Sequence, residues 1–260
     1  PSASHFAMGK TIERKELIEK SSSLFNCYYC YVNLLGNEAG RMIFDGEILL
    51  AKEGKLLARN QLLSFQDYQV FSFYLENKPQ HLAHIQPKEW EFAQASALGL
   101  YDYLRKSKSK GFVLSLSGGA DSSSIAVLVA EMVRRGIHEL GVEKFVEKSG
   151  IQLTHGSNNP EKELVNQLLT TAYQGTRNSS DDTFQSAKNL AESLGAQFYA
   201  WTIDEEVTSY TEKIETALGR KLTWETDDLA LQNIQARSRS PIIWLLTNIK
   251  NALLLSTSNR

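Results

Sequence analysis

Two cysteines, Cys27 and Cys30, are all that the 260 residues contain. They cannot staple a secreted scaffold, so a reducing, cytoplasmic setting is the expectation. Neither sign of charge is in surplus: 28 Lys and Arg against 30 Asp and Glu leave a net charge of −2. A dedicated nucleic-acid binder carries a clustered basic excess, and none is present. Long hydrophobic runs are missing too. Ile125–Ala130 and Ala252–Leu255 fall far short of the roughly 20 residues of a membrane helix. No charged-then-apolar leader is visible, so no secretory signal is expected in this segment. Internal repeats and low-complexity tracts are also absent, and 42% hydrophobic with 22% charged residues excludes a disordered chain. The start at Pro1 without Met, and the stop at Arg260 just after an apolar run, read as a processed or truncated chain.

What is there changes character along the chain. Thr11–Lys20 places Ile12, Leu17 and Ile18 among charges and predicts an amphipathic helix. Phe25–Leu35 is aromatic and β-branched enough for a buried strand. Arg41–Phe44 and Glu47–Ala51 flank Asp45-Gly46, a hairpin signal, and Glu53-Gly54 marks a second turn. Val70–Leu75 reads as a further strand. Pro79 and Pro87 sit in the polar stretch Glu76–Trp90, within which residues 79–90 are expected to be a linker.

Beyond it, helix and strand alternate: helices over Phe92–Lys106, Ser122–Arg135, Thr183–Leu194 and Glu205–Leu218, and strands over Phe112–Leu116, Leu168–Tyr173, Gln197–Ile203 and Ala252–Ser256. Asp228–Ser238 and Ile242–Ile249 are expected as two helices separated at Pro241. Residues 136–167 look like a polar, irregular insertion. Such alternation specifies an α/β fold with a parallel sheet covered on both faces.

The strongest chemical signal is Ser117-Gly118-Gly119-Ala120-Asp121-Ser122, between a predicted strand and a predicted helix. Glycines let the backbone turn tightly and approach a ligand, while free N–H groups at the helix start favour an anion. Asp121 has the wrong sign for phosphate, which makes it a candidate Mg²⁺ ligand bridging to phosphate oxygens. The loop lacks the Gly-Lys-Ser/Thr of a Walker A motif.

This string resembles the Ser-Gly-Gly-x-Asp-Ser loop of the N-type ATP pyrophosphatases. Gly175–Thr183, Leu229–Arg237 and Leu253–Asn259 resemble segments of glutamine-dependent NAD synthetases within that group, and Pro1–Lys10 with Tyr31–Gly46 resembles the later part of their nitrilase-like glutaminase domain. The resemblance implies a partial nitrilase-like α-β-β-α sandwich over residues 1–78, the linker, and a partial Rossmann-like synthetase domain over 91–260. It implies ATP and Mg²⁺ as substrate and cofactor, deamido-NAD and glutamine or ammonia as partners, and a cytoplasmic homo-oligomer formed through the synthetase domain.

By residue, it implies that Ser115, Leu116, Ser117, Gly118, Gly119, Ala120, Asp121 and Ser122 hold ATP phosphates, with Thr257 also on ATP and Asp121 on the metal. Asn233 and Arg237 would contact deamido-NAD; four residues apart, they share a helix face. Ser4 and Lys10 would contact glutamine. The Glu, Lys and Cys of the glutaminase triad would lie before Pro1, leaving no glutaminase nucleophile in this segment. Cys27 and Cys30 read as buried structural cysteines of a strand, and His81 and His84 as solvated linker residues. A pyrophosphatase acting on another acceptor, or a non-catalytic nucleotide-binding remnant, stays open at this point.

Overall fold

The computed structural model describes residues 3–38, 42–76, 78–153 and 158–257. Along the chain run α1 (Lys10–Leu24), β1 (Tyr29–Val32), β2 (Leu35–Glu38), β3 (Met42–Asp45), β4 (Ile48–Lys52), β5 (Lys55–Arg59), β6 (His81–Leu82), α2 (Lys88–Ser107) and β7 (Phe112–Ser115). They are followed by α3 (Ala120–Leu140), α4 (Val142–Ser149), α5 (Pro160–Leu168), β8 (Leu169–Gly175), α6 (Asp181–Leu194), β9 (Gln197–Thr202), α7 (Asp204–Leu218), α8 (Asp228–Ile249) and β10 (Leu253–Leu255). The chain forms two compact units, Pro1–Ser107 with Glu131–Ser149, and Lys108–Ala130 with Gly150–Arg260. Among the described residues no helix is long and apolar enough to cross a membrane.

In the first unit a four-stranded sheet has the order β1-β4-β5-β6, and β2 pairs with β3 separately. Glu53 (φ 51°) and Gly54 (φ 77°) both take the left-handed conformation that a two-residue hairpin needs, joining Lys52 to Lys55 as expected. Asp45-Gly46 is not a hairpin. There the chain leaves one sheet for the other, because β3 pairs with β2 while β4 pairs with β1 and β5. Gly46 (φ 67°) makes this crossing, and a Cβ on it would sit 2.8 Å from Leu35 Cδ1.

Helix α1 packs on the sheet through Ile18, against Leu49, Ala51 and Leu56. Its other inward residues are Thr11, Arg14 and Ser22, whereas Ile12 and Leu17 are exposed, so the amphipathic expectation identified only Ile18 correctly. The inward polar groups meet buried partners. Arg14 Nη1 donates to Asp45 Oδ2 (2.5 Å) and Glu47 Oε2 (2.8 Å), and Asn33 Nδ2 donates to Asp45 Oδ1 (2.7 Å). Thr11 donates to the other Glu47 oxygen. Burial works against the Arg14 charge, but hydrogen bonds to Glu47 and Asp45 outweigh it and raise its pKa.

Other elements differ from the expected ones in several places. Val70–Leu75 forms no strand; the Tyr74 N–H is taken by the Gln80 side chain at 2.7 Å rather than by a ladder. Within the expected linker, His81–Leu82 pairs in parallel with β5 and α2 begins at Lys88. The cysteines are free: Cys30 is exposed on edge strand β1, on the face opposite Tyr29 and Tyr31, and Cys27 is half-buried before it. The stretch expected as an irregular insertion is largely helical. Gly141 (φ 80°) separates α3 from α4, whose Phe145 is fully buried and stacks on Tyr101 at 5.7 Å. Asn159 caps α5 by accepting from Lys162 N (3.0 Å), with Pro160 in the first turn.

In the second unit four parallel strands lie in the order β10-β7-β8-β9. Strand alternation sends Ala172 and Gln174 to one face and Tyr173 to the other. Ile243 of α8 packs with Val113 and Ala172, while Phe184 of α6 meets Tyr173 edge-on at 5.4 Å. Both faces are thus covered, as the α/β expectation requires. Helix α8 continues through Pro241 instead of stopping there. Proline removes one backbone donor, and packing of Ile243 and Thr247 on the inward side holds the helix across that gap.

Two stability predictions follow from the first unit. Arg14→Met strands two buried carboxylates, and urea unfolding should show a loss of about 3–5 kcal/mol; an unchanged midpoint would contradict the network. Glu131 accepts from Arg134 and Arg135 (2.5–2.8 Å), and the Arg134 hydrogen bond leads in depressing its pKa to about 2. A depressed carboxyl stabilises above its unfolded pKa and loses that contribution as pH falls towards 2. The stability gap between wild type and Glu131→Gln should therefore close between pH 5 and pH 2.

Candidate nucleotide-binding site

Ligands of open parallel sheets bind outside the carboxyl ends of the strands. At that edge of the second unit lies a cavity of about 950 Å³. Its walls are the loop after β7, the end of β8, strand β10 with the residues after it, and one stripe of α8.

The loop is fixed from within. Ser122 is buried; its Oγ accepts from Ser117 N (3.2 Å) and donates to the Gly119 carbonyl (3.3 Å). Ser117 Oγ in turn accepts from Gly119 N (3.3 Å). Gly118 has φ 82°, and a Cβ there would collide with the Thr183 carbonyl at the start of α6. Gly119 differs: its nearest Cβ neighbour would be Ser117 Oγ at 3.4 Å, an ordinary contact. Gly118 is therefore demanded by packing, whereas Gly119 keeps open the floor that a ligand would approach. Helix α6 is itself capped, Ser180 Oγ accepting from Thr183 N (3.4 Å).

The cavity brings together Ser115, Ser117, Gly119, Ala120, Asp121, Ser122 and Thr257 of the expected set. Leu116 is fully buried and Gly118 faces α6, so these two shape the loop outside the cavity lining. Asn233 and Arg237 do share a face, with Arg237 Nη1 donating to Asn233 Oδ1 (2.7 Å), but both are exposed and neither belongs to the lining. Ser4 and Lys10 lie in the first unit. The Ser4 backbone is held by the Asn33 side chain (3.0 and 2.7 Å), and Lys10 Nζ donates to the His5 carbonyl (3.1 Å).

Residues not singled out from the sequence also line the cavity, among them Gln174, Arg239, Trp244 and Asn248. The helical repeat through Ala236, Ser240, Ile243 and Thr247 would have pointed to this side of α8 rather than to Arg237.

Asp121 is the one carboxylate among the described residues lining the cavity. No group of three or more His, Cys, Asp or Glu able to hold a metal occurs among the described residues. That donor set suits a cation held by one carboxylate plus the oxygens of a bound phosphate ligand, the usual habit of Mg²⁺.

A parallel α/β sheet with a glycine-containing loop and a helix N-terminus opening on its carboxyl edge is the arrangement of nucleotide-binding α/β proteins. The chain belongs to the NAD synthase family, whose model matches residues 92–260. A crystal structure of a glutamine-dependent NAD(+) synthetase from Cytophaga hutchinsonii is 53% identical, with a TM-score of 0.92, covering 100% of this chain and 45% of that one. A glutamine-dependent NAD(+) synthetase of Bos taurus is 28% identical over 95% of this chain and 42% of its own length. That of Acinetobacter baumannii in complex with adenosine diphosphate is 20% identical with a TM-score of 0.76, a likeness of fold, over 99% of this chain and 43% of that one. The chain thus spans less than half the length of the relatives it matches.

Gly118→Ala adds both a backbone strain and a collision with Thr183. In the full-length protein it should cost about 1–3 kcal/mol of stability, read by urea unfolding; an unchanged midpoint would show that the seat of the loop on α6 is not needed.

Proposed function

We propose that this chain supplies the ATP-dependent half of a glutamine-dependent NAD synthetase. The observation that carries the reading is the cavity at the sheet's carboxyl edge, where Ser117, Gly119–Ser122 and Thr257 face a common space in a member of the NAD synthase family. In this reading Ser115, Ser117 and Gly119–Ser122 hold ATP phosphates on a loop shaped by Leu116 and Gly118, and Thr257 contacts the same nucleotide. Asp121 would hold Mg²⁺, which would supply neutralisation of phosphate charge.

The reaction proceeds in two displacements. A carboxylate oxygen of the nicotinate ring in deamido-NAD attacks the α-phosphorus of ATP. The α-phosphorus–oxygen bond to the β-phosphate breaks, and pyrophosphate leaves with the electron pair. Ammonia then attacks the activated carbonyl, loses a proton and expels AMP, leaving the amide of NAD. The chain's contribution is position and charge: loop N–H groups at the start of α3 face the phosphates, and no side-chain acid or base is required in the first displacement.

Asn233 and Arg237, already bonded to each other, are assigned to the dinucleotide substrate. Ser4 and Lys10, in a nitrilase-like part spanning 1–78, are assigned to glutamine. Residues 79–90 join that part to the synthetase part, 91–260. Amide hydrolysis itself belongs to a part of the longer protein outside this segment. We further assign the protein to the cytoplasm as a homo-oligomer joined through the synthetase part.

The test uses the full-length protein with ATP, Mg²⁺ and deamido-NAD. NAD, AMP and pyrophosphate should form in equal amounts with either glutamine or ammonium as nitrogen source. AMP and pyrophosphate only with a different acceptor would retain the ATP chemistry and overturn the NAD assignment. No turnover with any acceptor would overturn both.

A further inference from the structure

Arg239 is the one cationic side chain among the described residues that line the cavity. Its guanidinium is held in place by backbone oxygens: Nε donates to the Gln174 carbonyl (3.1 Å) and Nη1 to the Gln235 carbonyl (3.1 Å). No carboxylate pairs with it among the described residues. The neighbouring cases in this unit differ, since Arg177 is matched to Asp204 (3.1 Å) and Arg220 to Asp227 (2.8 Å). A half-buried cation with no carboxylate partner among the described residues, fixed at the wall of a cavity, is arranged for an anionic ligand.

The residue that anchors it also reaches the phosphate loop. Gln174 is buried at the end of β8, and its Nε2 donates to Ser115 Oγ (3.1 Å), on the last residue of β7 before the loop. The α8 wall and the loop wall are therefore tied through one residue. The guanidinium is set relative to the loop by hydrogen bonds rather than by a flexible stem. Arg237, two positions earlier, has none of these features: it is exposed, bonded to Asn233 and outside the lining.

We infer that Arg239 binds a phosphate oxygen of the nucleoside triphosphate from the α8 wall, on the group that departs as pyrophosphate. The inference rests on the functional reading above and adds to it a residue and a role. Negative charge grows on the bridging oxygen and β-phosphate as the α-phosphorus bond breaks. A fixed guanidinium there stabilises that charge without reorganising. The loop N–H groups and Arg239 then grip the triphosphate from two walls of one cavity.

The experiment is calorimetric titration of the full-length protein with α,β-methylene-ATP and, separately, with adenosine. Arg239→Ala should weaken the triphosphate analogue by about 10- to 100-fold, the range expected for a charge-assisted hydrogen bond, and leave adenosine within about twofold. Arg239→Lys, which keeps the charge, should lie between wild type and alanine. Arg239→Gln, which keeps length and polarity without charge, should match alanine; this pair decides the matter if the alanine protein does not fold. Equal losses for adenosine and triphosphate would reduce Arg239 to a structural brace and overturn the inference. So would wild-type triphosphate affinity in the glutamine variant, or a rise confined to the KM for deamido-NAD. If the unsubstituted protein makes NAD and one of these results appears, the inference fails alone. If it makes no NAD and binds no triphosphate, the functional reading fails and the inference with it.

Discussion

The seat of Gly118 on the Thr183 carbonyl is the constraint on which the candidate site depends. It fixes the loop after β7 against the capped start of α6, at a distance that admits no side chain. With that contact made, Ser122 is turned inward as a latch and the first turn of α3 opens towards the cavity. In the proposed reading phosphate recognition is therefore a matter of backbone placement, and the sheet supplies the placement. Strands β7 and β8 start in register, Phe112 facing Leu169 and Ser115 facing Ala172, and β8 then runs on past the end of β7 to Gly175, which places Gln174 beside the loop.

The same economy of side chains marks the charge distribution in the cavity. Among the described lining residues one carboxylate, Asp121, and one guanidinium, Arg239, stand among small, hydroxyl, amide and apolar side chains. Such a site holds an anion chiefly by N–H dipoles and uses its two charges to orient it. The first unit is built in the opposite manner. Its buried face of α1 carries Thr11, Arg14 and Ser22; Asp45 and Glu47 answer the first two, and Ser22 Oγ accepts from Gly54 N (3.0 Å). A buried cation between two buried carboxylates costs desolvation on all three groups, and the geometry has to recover it.

That contrast explains what could be read from the sequence. The loop was legible because its chemistry is local: six consecutive residues specify turn, cap and charge. The parallel strands and α6 were legible from periodicity alone, as was the Glu53-Gly54 turn, where two positive φ values fall on suitable residues. Helix α1 was placed correctly but its inward face was not, because polar residues buried among polar partners leave no hydrophobic period. Helix α4 was missed for a related reason. Its one large buried residue, Phe145, is explained by Tyr101, which no local pattern reveals. Arg239 was passed over because its anchor, the Gln174 carbonyl, lies 65 residues away in sequence. Arg237, assigned to the dinucleotide substrate, satisfies the simpler rule of an i, i+4 pair with Asn233.

The proposed function places a triphosphate in the cavity between the loop after β7 and the inward stripe of α8. A crystal structure of the full-length protein with α,β-methylene-ATP and Mg²⁺ tests this. Phosphate oxygens are expected against the backbone N–H groups of Gly119–Ser122, the metal at Asp121, and the Arg239 guanidinium on the β- or γ-phosphate. A nucleotide bound elsewhere, or phosphates turned out of the cavity with the loop empty, would contradict it.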